Sequence, residues 1–328
     1  MNKAIQVINL YKKFDKTIVL DHINFEVEVG EVFGYLGPNG AGKTTTIRIL
    51  TAISRQTSGT VLIAGHDIKK QEYEAKQKFS LVPENPIVYP ELSGLSNLVF
   101  TAGLYQIPRN KRKQLAESFL KEFNLYHHRD KQALYYSKGM KKRLSLAMGL
   151  ISDPEILFLD EPTAGLDIES QLLIKKKILE YREKGNTVFL TTHNLHEAAK
   201  LCNRVAILDK GKILTIDSPN RLRKAMIGAR SFEYEISDPF KPKLVLKQFY
   251  QDTNKGNEFI SLNKQKIRIY TKNPSELGQE FLIWTRRNKI PLVSYKTVEA
   301  ELEDVFMSLT GIGKLGNYEK KNLEKKEG

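Results

Sequence analysis

Residues 37–44 of the chain read Gly-Pro-Asn-Gly-Ala-Gly-Lys-Thr and match the pattern GxxxxGK[ST] of a phosphate-binding loop. An apolar strand is predicted before the loop, at Val32–Leu36, and a helix after it. Glycines let backbone N–H groups point at a polyphosphate without obstruction by Cβ atoms, and the start of the following helix favours negative charge. The segment therefore predicts a nucleotide-binding site made of Gly37, Pro38, Asn39, Gly40, Ala41, Gly42, Lys43, Thr44 and Thr45.

A second signal follows the predicted strand Ile156–Leu159, which runs into the two carboxylates Asp160 and Glu161. Downstream of a phosphate-binding loop, the carboxyl end of such a buried strand is expected to face the phosphates. We expect Asp160 to hold Mg²⁺ together with the Thr44 hydroxyl, and Glu161 to polarise the attacking water. Lys43 is expected to contact the β- and γ-phosphates of the bound nucleotide and so to take part in catalysis.

Strand-like and helical patterns alternate through the first two-thirds of the chain, which is typical of an α/β domain with a largely parallel core sheet. We assign this domain to residues 1–227, and the mostly helical stretch at about 91–150 is predicted to be a helical subdomain inserted in it. Residues 228–311 show the order βαββαβ followed by a helix, which predicts a small α+β domain of ferredoxin-like type. Residues 312–328 are expected to form a disordered basic tail.

The composition is that of an ordinary globular protein, with 328 residues of which 41% are hydrophobic and 27% charged. Its apolar stretches fall short of the roughly 18 residues that a spanning helix needs, and the first residues lack the core of a signal peptide, so we expect neither. The single cysteine, Cys202, fits a reducing compartment. A formal net charge of +14 leaves nucleic acid, an anionic membrane face and phosphate ligands open.

Two short segments narrow the class of nucleotide-binding protein. Residues 136–140 read Tyr-Ser-Lys-Gly-Met, and residues 164–167 read Ala-Gly-Leu-Asp. The first resembles the signature LSGGQ of ABC transporter ATPases, which it matches at Ser137 and Gly139, and the second resembles their D-loop with Asp167. A serine at the start of a helix is an ordinary N-cap, and such a helix N-terminus is also suited to an anion.

The resemblance to ATP-binding subunits of ABC transporters covers roughly residues 3–225. His193 follows a predicted strand at the place of the family's switch histidine, which makes it a catalytic candidate. Phe14 stands where the family has an aromatic residue that stacks on adenine. The chain departs from the family at Glu84, where a glutamine is usual. Because a carboxylate there can still reach Mg²⁺ or the attacking water, Glu84 is kept as a metal-binding and catalytic candidate.

The resemblance also implies an assembly. Two copies, expected to form a homodimer, would enclose ATP head to tail, with Ser137, Gly139 and Asp167 acting on the ATP of the other copy. A separate membrane-spanning permease subunit would carry the solute, so the chain is expected at the cytoplasmic face of the cell membrane. Residues 302–311 are similar to the end of ATPase subunits of bacterial drug, antibiotic and sodium exporters, which implies export.

Two other classes remain open. The basic charge favours a soluble ABC-type ATPase that acts on ribosomes or nucleic acid. Such proteins usually carry two ATPase domains or a long coiled-coil insertion. The sequence shows neither feature, so no nucleic-acid partner is expected. A P-loop kinase or a GTPase would lack the segments around Ser137 and His193, and the guanine-reading sequence Asn-Lys-x-Asp does not occur in the chain.

Overall fold

The computed structural model describes residues 3–225, 230–237, 242–253, 259–263, 266–270 and 274–310. The chain divides into two compact units, Met1–Asp217 and Ser218–Gly328. This division lies ten residues before the predicted boundary at 227, because the helix Pro219–Ala225 packs against the helix Leu302–Thr310 of the second unit. The predicted basic tail, 312–328, lies outside the described residues.

Strands and helices are numbered in chain order. The strands are β1 (Lys3–Phe14), β2 (Thr17–Glu28), β3 (Val32–Leu36), β4 (Ser58–Ile63), β5 (His66–Asp67), β6 (Phe79–Val82), β7 (Ile156–Asp160), β8 (Thr187–Thr192), β9 (Arg204–Asp209), β10 (Lys212–Asp217), β11 (Arg230–Ile236), β12 (Phe259–Asn263), β13 (Lys266–Tyr270) and β14 (Leu292–Glu299). The helices are α1 (Lys43–Leu50), α2 (Glu72–Lys76), α3 (Gly94–Leu104), α4 (Arg109–Glu122), α5 (Lys138–Leu150), α6 (Ile168–Glu183), α7 (Leu195–Leu201), α8 (Pro219–Ala225), α9 (Pro242–Thr253), α10 (Pro274–Arg287) and α11 (Leu302–Thr310). Within the described ranges, none of these helices combines the length and the apolarity that a membrane crossing requires.

The first unit contains a six-stranded sheet of order β10-β9-β3-β8-β7-β6. All neighbours from β9 to β6 are parallel, which confirms the predicted α/β fold with a parallel core sheet. Because the carboxyl ends of parallel strands lie at one edge of a sheet, the loops after β3, β6, β7 and β8 meet there. The edge strand β10, which pairs antiparallel with β9, is absent from the sequence-based prediction.

A second sheet of the same unit is antiparallel and has the order β2-β1-β4-β5. Side chains of both sheets and of α1 share one hydrophobic cluster. In this cluster the ring of Phe33 stacks on those of Phe25 and Phe189, with centroid distances of 5.7 and 5.8 Å. The shared core therefore holds β3 and α1, and with them the phosphate-binding loop that connects them.

Helices α3, α4 and α5 occupy residues 94–150, within the stretch predicted to be an inserted helical subdomain. Ser93 precedes α3 and Ser137 precedes α5, and each hydroxyl accepts a hydrogen bond from the backbone N–H three residues later, at 3.1 and 3.2 Å. An N-cap of this kind contributes about 1 kcal/mol to stability. Helix α5 is mostly buried and packs on β6, which ties the helical segment to the parallel sheet.

The second unit contains the predicted ferredoxin-like topology. The elements β11, α9, β12, β13, α10 and β14 follow one another, and the sheet order is β12-β13-β11-β14 with every neighbouring pair antiparallel. Tyr234, Phe249, Phe281 and Trp284 belong to the hydrophobic cluster of this unit. The second unit thus has a core of its own.

Candidate functional site

A cleft of about 360 Å³ opens at the carboxyl edge of the parallel sheet. Its lining comes from the loops after β3, β6, β7 and β8, from the start of α1 and from β2: Val19, Pro38, Asn39, Gly40, Gly42, Lys43, Thr44, Thr45, Glu84, Glu161 and His193. The fold therefore brings the phosphate-binding loop together with three of the predicted catalytic residues that lie far from it in the sequence.

The phosphate-binding loop requires glycine at position 42. Gly42 has a φ of 112°, and a Cβ on it would lie 2.7 Å from Cδ2 of Leu20. Helix α1 begins at the next residue, Lys43, so the unpaired N–H groups of its first turn belong to residues that line the cleft. Such N–H groups bind phosphate oxygens. The buried Lys43 ammonium donates to the carbonyl of Gly37 at 2.8 Å and to that of Pro38 at 3.3 Å.

Glu161 is held at the cleft by contacts on both sides. Its Oε1 lies 2.9 Å from Nδ1 of His193 and 3.7 Å from Nζ of Lys43, and the residue is 8% exposed. Its φ of 46° is uncommon for a residue other than glycine, and its backbone N–H donates to the carbonyl of Thr191 at 3.1 Å. A strained residue that carries a buried carboxylate into a cleft is suited to a catalytic role.

The oxygen donors at the same edge fit a magnesium ion bound with a nucleotide. Thr44 and Glu84 line the cleft. Asp160 is buried, and one of its carboxylate oxygens accepts a hydrogen bond from the Thr191 hydroxyl. Mg²⁺ takes oxygen ligands, and proteins usually hold it through one or two carboxylates together with the phosphates of the substrate. A hydroxyl and two carboxylates at one edge of the sheet are donors of this kind.

Lys142 is a residue of this region to which sequence reasoning gives no role. It lies on α5, is 3% exposed, and donates to the carbonyls of Pro83 and Glu84 at 2.9 Å each. Burial lowers the pKa of Lys142 to about 8, and the carboxylates of Asp160, Glu84 and Glu161 oppose this shift. A lysine is thus buried among the predicted metal-binding and catalytic carboxylates.

Three predicted nucleotide-binding residues, Ser137, Gly139 and Asp167, do not line the cleft of their own chain within the continuous stretch 3–225. Asp167 caps α6 by accepting from the backbone N–H of Ser170 at 2.8 Å and from its hydroxyl at 3.0 Å, and these bonds hold the pKa of Asp167 below its ordinary value. A Cβ on Gly139 would lie 2.6 Å from the Ser170 hydroxyl oxygen. The starts of α5 and α6 are therefore packed together, and glycine allows this approach.

Phe14 also lies outside the lining of the cleft within that stretch. It stands at the turn of the hairpin between β1 and β2 and is 48% exposed, with the Lys12 ammonium 4.3 Å from the centre of its ring. Val19, on the same hairpin, does line the cleft. The ring of Phe14 is accessible, and its contact with adenine stays a prediction.

The chain is similar to known transporter subunits. The profile of a family described as ABC transporter matches residues 20–164. The Nod factor export ATP-binding protein I of Burkholderia pseudomallei (strain 1710b) is 32% identical over 300 residues, which cover 92% of this chain and 94% of that protein. The linearmycin resistance ATP-binding protein LnrL of Bacillus subtilis (strain 168) is 31% identical over 307 residues, which cover 94% of this chain and 98% of that protein. The structure of cbiO1 from Clostridium perfringens, part of the ABC transporter complex cbiONQ, gives a TM-score of 0.63 at 27% identity and covers 69% of this chain and 92% of that one.

These similarities are not confined to the phosphate-binding loop. Both relatives align with more than nine-tenths of the chain, so the alignments reach into the second unit as well as the first. They disfavour the alternative of a soluble ABC-type ATPase acting on ribosomes or nucleic acid. The chain belongs to the ABC transporter family, as an ATP-hydrolysing subunit of the type that powers export.

Proposed function

We propose that the cleft binds MgATP and that Glu161 activates the water that attacks the γ-phosphate. The contacts of Glu161 with both Lys43 and His193 carry this proposal, because they place a carboxylate beside the cation that is expected to bind the phosphates. Glu161 accepts the proton of the attacking water, and His193 orients the carboxylate through its Nδ1 contact. When bound, Mg²⁺ neutralises part of the charge of the β- and γ-phosphates.

The site is completed by a second copy of the chain. Ser137 is exposed at the N-terminus of α5, where its hydroxyl and the N–H groups of the first turn are suited to a phosphate. Among the residues that the structure describes, those lining the cleft do not include Ser137, so we place it over the ATP held by the partner. When the two copies meet, the positive end of the α5 dipole of one copy comes close to the γ-phosphate held by the other. Hydrolysis then allows the two copies to separate.

Residues 84–126 provide the docking surface for a separate membrane-spanning subunit, at the cytoplasmic face of the membrane. Large apolar side chains in this segment are exposed, among them Ile87, Phe100, Leu104 and Tyr105, with exposed fractions of 64%, 45%, 61% and 45%. Exposed apolar side chains grouped in one segment are typical of an interaction surface. The transported solute is then recognised by the membrane subunit, and export is supported by the names of the relatives.

A mixing experiment tests the composite site. The variants Lys43→Ala and Ser137→Ala each damage both sites of a homodimer, and each is expected to lower hydrolysis by about 10²-fold. Mixed in equal amounts, they form dimers in which one site has both residues intact. The rate should recover to about a quarter of the wild-type rate, because random pairing makes half of the dimers mixed and each mixed dimer has one intact site.

The control is Ser93→Ala, which removes the equivalent cap from α3 and should cost a similar stability without loss of hydrolysis. Recovery in the mixture of Lys43→Ala and Ser137→Ala supports residues acting across the dimer. A rate no higher than the average of the two parents would contradict the composite site.

A further inference from the structure

The buried lysine Lys142 joins two loops that leave neighbouring strands of the parallel sheet. Its ammonium donates to the carbonyls of Pro83 and Glu84, in the loop after β6, and lies 3.5 Å from the carbonyl of Asp160, at the end of β7. Strands β6 and β7 are paired in parallel, so both loops start at the same edge of the sheet. A single side chain thus spans the gap between the loop of Glu84 and the strand that ends in the predicted catalytic carboxylate.

A buried ammonium is costly unless its protons are bound, since burial disfavours the charged form. Here carbonyl oxygens accept from it, and the carboxylates of Asp160, Glu84 and Glu161 attract its charge, whereas the ammonium of Lys138 repels it. Removing the lysine would leave two carbonyls without this donor at the edge of the cleft. The contacts therefore restrain the backbone of the loop from which Glu84 lines the cleft.

Lys142 also belongs to helix α5, which is capped by Ser137. The two residues are five positions apart, which is about 7.5 Å along a helix. We propose that Lys142 is a positioning residue that holds three parts of the ATPase in one arrangement: helix α5, the loop of Glu84 and the end of β7. The proposal rests on the proposed function, in which Ser137 contacts the ATP of the second copy and the loop of Glu84 adjoins the membrane subunit.

One consequence is that the loop after β6 cannot move independently of α5. A shift of the loop, such as one caused by the membrane subunit, pulls on the two carbonyls that Lys142 binds and is passed to the helix. A methionine of similar length would fill the space and leave the two parts uncoupled. An arginine keeps the charge and offers several donors to the same carbonyls.

The experiment compares the full-length wild type with Lys142→Met, Lys142→Arg and the control Lys141→Met. Within the continuous stretch 3–225, Lys141 is the neighbouring lysine of the same helix and makes none of the three carbonyl contacts. Amide hydrogen exchange of peptides covering residues 83–92 reports the restraint on the loop. The ATP dissociation constant and the turnover number separate binding from positioning.

In Lys142→Met, exchange of the loop should become faster and turnover should fall by about 10- to 100-fold, as expected when reacting groups are misplaced, while ATP affinity stays near the wild-type value. Lys142→Arg should restore both readouts, and Lys141→Met should leave loop exchange unchanged. If Lys142→Met does not fold, it is replaced by Lys142→Gln, whose shorter side chain keeps an amide NH₂ group as donor but no charge.

Wild-type exchange of the loop in a folded Lys142→Met would overturn the proposal, and so would faster exchange with unchanged turnover. A fall in ATP affinity that accounts for the whole loss of activity would assign Lys142 to binding instead. The exchange readout needs no hydrolysis. If the wild type itself failed to hydrolyse ATP, the proposed function would fail, while the restraint that Lys142 places on the loop could still be measured.

Discussion

Replacing Glu161 with Gln removes one charge from the cleft and keeps the size of the side chain. The Lys43 ammonium lies 3.7 Å from Oε1 of Glu161, and both side chains are less than one-tenth exposed. At an effective dielectric constant of about 20, Coulomb's law gives about 4 kcal/mol of attraction for this pair, before the cost of removing both charges from water. In Glu161→Gln the Lys43 ammonium loses this attraction to the carboxylate and can interact fully with the phosphates. The affinity for ATP should therefore be equal to that of the wild type or higher.

Hydrolysis by Glu161→Gln should nevertheless fall by at least about 10²-fold, the usual loss for a positioned general base. The assay is phosphate release at saturating MgATP, together with the ATP dissociation constant measured by calorimetry. The control is Glu155→Gln, at the residue immediately before β7. The side chain of Glu155 is 59% exposed and pairs with Lys78 away from the cleft lining, so turnover of this variant should stay close to wild type. Turnover near wild type in Glu161→Gln, or a loss of ATP binding parallel to the loss of turnover, would refute the reasoning.

Three further predictions follow from the same site and fold. Glu84→Gln should leave ATP affinity nearly unchanged and raise the Mg²⁺ concentration for half-maximal hydrolysis, because one ligand charge is lost; superimposable curves of rate against Mg²⁺ would show that Glu84 does not act on the metal. Gly139→Ala should lower the free energy of unfolding by about 1–3 kcal/mol through overlap with Ser170, and an unchanged urea midpoint would argue against this packing. A chain that ends at Asp217 should fold and bind ATP, since the first unit has its own core; a folded fragment unable to bind ATP would place part of the site in the second unit.

Much of the fold could be predicted because its signals are local. β3 is a run of buried residues followed at once by the phosphate-binding loop, and both features stand side by side in the sequence. The strand β10 escapes prediction because its hairpin turn, Lys210-Gly211, has φ angles of 47° and 76°, and lysine is not a residue that marks such a turn. The division of the chain at 217, rather than at the predicted 227, has another cause: α8 joins the second unit through a contact with α11, which leaves no local mark in the sequence.

The candidate site shows the same limit. The loops that form the cleft could be predicted from spacing, but the residues that hold these loops in place act over long distances in sequence. Lys142 binds carbonyls of residues 59 and 58 positions earlier, and Thr191 binds the carboxylate of Asp160 from the neighbouring strand. One sequence signal was present: Gly139 and Lys142 are three residues apart on a helix, and so they lie on one face. The helix face on which Gly139 is buried therefore also carries Lys142, which is buried as well.

The most direct test of the central claim, that ATP is enclosed between two copies of this chain, is the molecular mass of Glu161→Gln in solution with different nucleotides. Sedimentation is measured with MgATP, with MgADP and without nucleotide. A dimer is expected with MgATP and a monomer in the other two conditions, because in the proposed dimer only the γ-phosphate is contacted by both copies. A monomer with MgATP, or the same dimer in all three conditions, would contradict the claim.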